Sequence, residues 1–231
     1  MNSRACWLIL LSILLVAPTA NAQTPVSVPA SGTLMEAVLD QVVPDNLATI
    51  GITRSSFEPG GTLRVSAGSG PAISWVEAGE ITLTLGAESP QSLIVRAGAT
   101  PETGTDGSEF MLVEGDGFVL AAGTSAELRN DSAAPAITLD LLSAPDTLRE
   151  ANDGASQAVV MSTEASLPAA PVLVTFSLVT LDPGGHLALP PAPAVTIYAA
   201  QDPAMVFHVT GNGFNRFNEP VAVYVLTVMP A

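Results

Sequence analysis

The chain has 231 residues, and its seven cationic residues, all arginines, face 22 acidic ones, for a formal net charge of −15. So acidic a surface repels nucleic acid and anionic lipid, which excludes those binding classes and favours solubility or cationic partners. A single cysteine, Cys6, rules out a disulfide framework, so stability has to come from burying a core, which a chain of this length can do.

Residues 1–22 read as a secretory signal peptide. Arg4 supplies the positive start, residues 6–16 are apolar apart from Ser12, and Ala20-Asn21-Ala22 is an A-x-A cleavage site that leaves Gln23 first. The apolar stretch is shorter than the ~20 residues a membrane span needs, so no membrane attachment is expected after cleavage. Cys6 lies ahead of the apolar run, where a lipid-modified cysteine would follow it. The protein is therefore expected to be secreted, to the periplasm or the extracellular medium. Its mature form keeps six arginines and all 22 acids, a net charge of −16.

Residues 23–49 form an N-terminal arm. The first ten (QTPVSVPASG) are rich in Pro and Ser and suit extended chain. In 33–43, Leu34, Val38 and Val42 fall at helical spacing, with Thr33 as an N-cap and Glu36 three residues on. This predicts a short helix ended by Pro44-Asp45-Asn46; a strand is the rival reading.

From Ile50 the pattern changes to short runs of β-branched and apolar residues: 62–66, 73–76, 81–85, 93–95, 110–113, 118–121 and 136–142. Runs this short, broken by many of the 19 Gly and 19 Pro, predict an all-β sandwich or barrel. Residues 81–85 (ITLTL) alternate cleanly, so one face should be buried and the other wet. Residues 50–142 are read as one barrel, 143–171 as a linker with a strand at 158–161, and 172–231 as a shortened second half.

The second half repeats the first. Phe57-Glu58-Pro59-Gly60-Gly61-Thr62-Leu63 returns as Leu181-Asp182-Pro183-Gly184-Gly185-His186-Leu187 at an offset of 124, and the register runs on through Leu85 and Val209. Further along, Arg129-Asn130-Asp131 and Pro135 are matched to Phe217-Asn218-Glu219-Pro220, at an offset near 88. The second copy is then about 36 residues shorter. Its sheets would need strands from 150–165, from the first half, or from another subunit, which would make a homodimer.

The stretch 115–130, GDGFVLAAGTSAELRN, reads as glycine, five residues, Ala121-x-Gly123, two residues, Ala126, three residues, Asn130. It resembles the second conserved motif of the cupin family, G-x5-P-x-G-x2-H-x3-N, with alanine in place of the proline and of the histidine. The segment from Gly60 to Gly79 resembles the frame of the first motif, G-x5-H-x-H-x3-4-E-x6-G, with Ser66 and Gly68 at the histidine positions and the glutamate position near Ala72. In the second copy those places hold Pro190, Ala192 and Thr196. The arrangement is similar to that of secreted bacterial cupin-domain proteins with two halves. The resemblance implies a double-stranded β-helix, a jelly-roll barrel of two antiparallel sheets around an apolar pocket, here in two copies. A metal in such a pocket needs converging imidazoles and a carboxylate, which Ser, Gly and Ala cannot replace. No metal and no cofactor is expected.

The pocket candidates are Ser66 and Ala126 at ligand positions, Trp75 and Tyr198 on matching strand segments, and His208 between Phe207 and Val209. Aromatic rings there could stack on a small apolar or sugar-like ligand, although core packing is the commoner use of such residues. His186 falls outside the ligand places. Glu58 and Asp182, before the Pro-Gly-Gly turns, and Asn130, in the sequon Asn130-Asp131-Ser132, read as turn residues. The acidic loop Asp106-Gly107-Ser108-Glu109 lacks the spacing of a calcium loop. Two functions remain: a non-catalytic module for ligand binding or interaction, and a metal-independent isomerase- or lyase-like enzyme using His208, Tyr198 or a pocket carboxylate. The small residues at the family's polar positions favour the module.

Overall fold

The structure is a computed structural model that describes residues 32–40, 48–67, 71–87, 89–141, 149–187, 190, 193–202 and 214–231. Among these there is no α-helix. The strands are β1 (Gly32–Leu39), β2 (Ala48–Phe57), β3 (Thr62–Val65), β4 (Ala72–Ala78), β5 (Glu80–Leu85), β6 (Ser92–Val95), β7 (Glu102–Gly104) and β8 (Glu109–Val113). They continue with β9 (Gly117–Leu120), β10 (Ala126–Arg129), β11 (Ala136–Leu141), β12 (Glu150–Ala151), β13 (Ala155–Ala165), β14 (Val172–Leu181), β15 (Val195–Ala200) and β16 (Val221–Pro230). The all-β expectation holds, and among the described residues each apolar run read from 62 onward overlaps a strand.

Three antiparallel sheets result. A seven-stranded sheet runs β13-β2-β11-β4-β9-β6-β7, a five-stranded one β12-β3-β10-β5-β8, and a four-stranded one β1-β14-β16-β15. Between the two larger sheets the pairing is nested: β2 with β11, β3 with β10, β4 with β9 and β5 with β8. The seven-stranded sheet is the middle layer. On β4, Ala72 and Val76 face the five-stranded sheet, while Ile73 and Trp75 face the four-stranded one. Side-chain alternation thus lets one strand serve two cores, which is why Ala72 to Val76 are all buried. On β5, at the outside, Ile81, Leu83 and Leu85 are buried and the threonines between them half-buried, as the ITLTL pattern requires.

The segment read as a helix is a strand. Thr33 caps no helix; β1 buries Met35, Ala37 and Leu39 and exposes Glu36 and Val38. TLMEAVL satisfies both periods, and the ten-residue strand β14, against which β1 pairs from Gly32 to Leu39, decides between them. β1 also lies close over β9: a Cβ on Gly117 would come within 2.8 Å of the Met35 sulfur. The N-terminal arm therefore completes the sheet built from the C-terminal half.

The stretch read as a linker carries more structure than one short strand. β12 joins the five-stranded sheet beside β3, and the 11-residue β13 pairs with β2 along the edge of the seven-stranded one. The two strands close one side of the sandwich.

The middle and four-stranded sheets meet at an aromatic cluster. Trp75 packs edge-on against Phe176 and Tyr224, with ring centroids 5.7 and 6.1 Å apart, and Phe176 stacks on Tyr224 at 5.3 Å. Beside it, Arg54 makes two 2.8 Å hydrogen bonds to the Glu77 carboxylate, which also accepts one from the Tyr224 hydroxyl. Burial, then the Glu77 charge, pushes the Tyr224 phenol well above its usual range, so it stays a neutral donor.

At the far end of the middle sheet, Asp116 accepts hydrogen bonds from the backbone N–H groups of Ala97 and Val113 and from Arg96. Burial alone would raise its pKa, but these donors outweigh it and hold the carboxyl below the ordinary value. A lowered folded-state pKa stabilises the fold above the unfolded-state value, about 4, and that stabilisation is lost as the pH falls through the folded value. Denaturation of wild type and Asp116→Asn at pH 7 and pH 3 should therefore give a gap that narrows at the lower pH.

Candidate functional site

The space between the five- and seven-stranded sheets is where a barrel over residues 50–142 would have its interior. It is filled by Phe57, Leu63, Ile81, Leu83, Leu85, Ile94, Leu112, Phe118, Leu120 and Leu128, none more than 1% exposed. A polar constellation interrupts it. On the inward faces of β2, β4 and β11 stand Ser55, Ser74 and Asp140, at most 1% exposed. The register fixes their meeting: Asp140 lies across from Ser74 on one side and Thr53 on the other.

The Ser55 hydroxyl donates to Asp140 Oδ2 at 2.7 Å, and the Ser74 hydroxyl donates to Oδ1. Arg149, just ahead of β12, crosses from the five-stranded sheet, and its Nη1 donates to Oδ1 at 2.7 Å. The Arg149 side chain is 9% exposed. Gln157 on β13 completes the group with a 3.4 Å bond to Ser55 Oγ. Among the described residues the carboxylate thus accepts from two hydroxyls and a guanidinium, the last of these bonds charge-assisted. Across from Ser55 on β11, the fully buried Thr138 hydroxyl has no partner.

The residues singled out in the sequence do not converge. Ala126 lines the filled interior from β10, and Ser66 follows β3 on the surface. Trp75 faces the other core, with its indole N–H donating to the Gly115 carbonyl. Tyr198 sits on the outer face of the four-stranded sheet with Ala200, Val221 and Val223, and burial raises its pKa. His208 lies outside the described residues. His186 is exposed, its ring 4.7 Å from that of Phe214. Among the described residues no three His, Cys, Asp or Glu side chains come together as a metal-binding group would require.

Two asparagines hold two turns in the same way. Asn130 Nδ2 donates to the carbonyls of Phe57 and Ala134 while its Oδ1 accepts from Ser132 N–H. Asn215 Nδ2 donates to the carbonyls of Leu181 and Glu219 while its Oδ1 accepts from Phe217 N–H. Each backbone also clasps a Pro-Gly-Gly turn, at Gly60 and Gly61 or at Gly184 and Gly185. Gly60 and Gly184 take the left-handed conformation, at φ 79° and 76°, that favours glycine. The partner of Asn130 is therefore Asn215, not Asn218, and the offset there is 85. Asn218 is exposed. Losing either buried amide should cost about 1–3 kcal/mol. In urea denaturation, Asn130→Ala and Asn215→Ala should be destabilised and Asn218→Ala near wild type; equal losses at 215 and 218 would restore the register read from sequence. The Asn130 amide is also spoken for, which leaves it no free N–H for a glycan.

The serines, the aspartate and the arginine of the interior cluster were not singled out by sequence reading. Four residues from separate segments carry no spacing signal. The available clue lay in β11, where Asp140 shares the parity of Ala136, a position read as part of an apolar strand. A comparison with protein-family models and with curated proteins finds no match for this chain.

Proposed function

We propose that the chain is a secreted, metal-free, non-catalytic module of cupin-like architecture that serves a structural or interaction role. The nested pairing from β2–β11 inward to β5–β8 supports the double-stranded β-helix reading, since a jelly roll winds one long hairpin into two facing sheets. The matched asparagine turns support two copies of one plan. Their offsets of 124 at the Gly-Gly turns and 85 at the asparagines make the second copy 39 residues shorter over that span.

The observation that carries the non-catalytic reading is the filled interior. The Asp140 carboxylate there is engaged by Arg149, Ser55 and Ser74, whereas an enzyme needs an inward acid or base open to its substrate. Ala126, at the motif histidine position, contributes only a methyl group to that core. In a thermal-shift screen, sugars and small apolar compounds should leave the Tm unchanged. A saturable rise in Tm with any of them overturns the reading.

A further inference from the structure

We propose that Asp140, Ser55 and Ser74 form a receptor for a guanidinium group, which the chain's own Arg149 fills in cis and which opens to a small guanidinium compound when Arg149 leaves. The inference rests on the observed sheets, not on the family resemblance.

Receptor and occupant are anchored very differently. The three receptor residues sit on β2, β4 and β11, adjacent strands inside the middle sheet. β11 is paired on both sides, over six residues with β2. Arg149 precedes β12, a two-residue edge strand with Glu150 opposite Arg64 and Ala151 opposite Leu63, which is tied beyond its end by Asn152 to Gly60 and Thr62. Arg149 lies at the end of this edge away from the Asn152 tie, and a short edge opens locally at less free energy than the strands paired behind it. The receptor is therefore expected to keep its geometry when Arg149 swings out.

The chemistry selects the ligand class. Asp140 is buried with two hydroxyls donating to it, and a buried ion without a counter-charge is costly, so a cation that also donates hydrogen bonds suits the place that Arg149 fills. The sheet carries polar capacity that Arg149 does not use: the Thr138 hydroxyl, buried beside Ser55, has no partner. A guanidinium presents several N–H donors in a planar fork, so it can donate to a hydroxyl oxygen and to the carboxylate at once. The net charge of −15 concentrates cations around the molecule and disfavours anions.

Arg149→Ala, Asp140→Asn/Arg149→Ala and the wild-type mature chain would be titrated with millimolar methylguanidinium by calorimetry, with urea as the neutral control of similar shape. Arg149→Ala should bind methylguanidinium saturably at one per chain and should not bind urea. The double variant should bind at least about tenfold more weakly, and so should wild type, because Arg149 must first be displaced. If Arg149→Ala does not fold alone, its refolding is followed by Trp75 fluorescence; methylguanidinium should restore the native signal in Arg149→Ala and not in the double variant. Binding or refolding that is equal in the two variants, or equal with urea, overturns the proposal.

Discussion

Asp140→Ala should lose about 3–5 kcal/mol of unfolding free energy, the usual consequence of breaking a buried ion pair from one side. The variant leaves the Arg149 guanidinium, 9% exposed, without its carboxylate, and strands the Ser55 and Ser74 hydroxyls. Such a loss is a large share of a domain's net stability, so the variant should be recovered in reduced yield. Arg149→Leu combined with Asp140→Ala should regain much of the loss, because two apolar groups replace two charges. Urea denaturation of the four proteins gives the coupling directly. If the double variant is as unstable as the sum of the single ones, Asp140 and Arg149 do not act as a pair.

Trp75→Ala should cost about 3–5 kcal/mol by a different route, the cavity left when a large buried ring is removed. Trp75 is 5% exposed and holds Phe176 and Tyr224 from the middle-sheet side. Its loss should loosen the contact between the middle and four-stranded sheets, where the first and second halves of the chain meet. Trp75→Phe keeps an apolar ring, though it gives up the indole bond to Gly115, and should cost less. Circular dichroism during thermal unfolding orders the three proteins. A Tm for Trp75→Ala within a degree or two of wild type would mean that the cluster does not couple the sheets.

Much of the fold was legible in the sequence because its signals are local. Short apolar runs, glycine turns and the ITLTL alternation mark strands whatever their partners. The repeated Pro-Gly-Gly turns marked equivalent places in the two halves. What was not legible depends on distant partners. TLMEAVL reads as helix or strand until β14 supplies an edge, and nothing nearby announces that the N-terminal arm pairs with residue 172 onward. Trp75 and Tyr198 lie on matching strand segments one residue out of register, and that single step puts them in different cores, since it reverses the face of the strand. The site was the least legible part. The motif resemblance directed attention to Ser66 and Ala126, while the charged interior cluster is made by residues 55, 74 and 140, brought together by strand register, and by Arg149 reaching in from ahead of β12.

A single observation bears most directly on a filled, non-catalytic interior: the native mass of the mature protein purified from its own host. The expected mass is that of the bare polypeptide, because side chains occupy the interior and Arg149 pairs with the Asp140 carboxylate there. A stoichiometric metal or a retained organic molecule, lost when Asp140 or Ala126 is replaced, would contradict it.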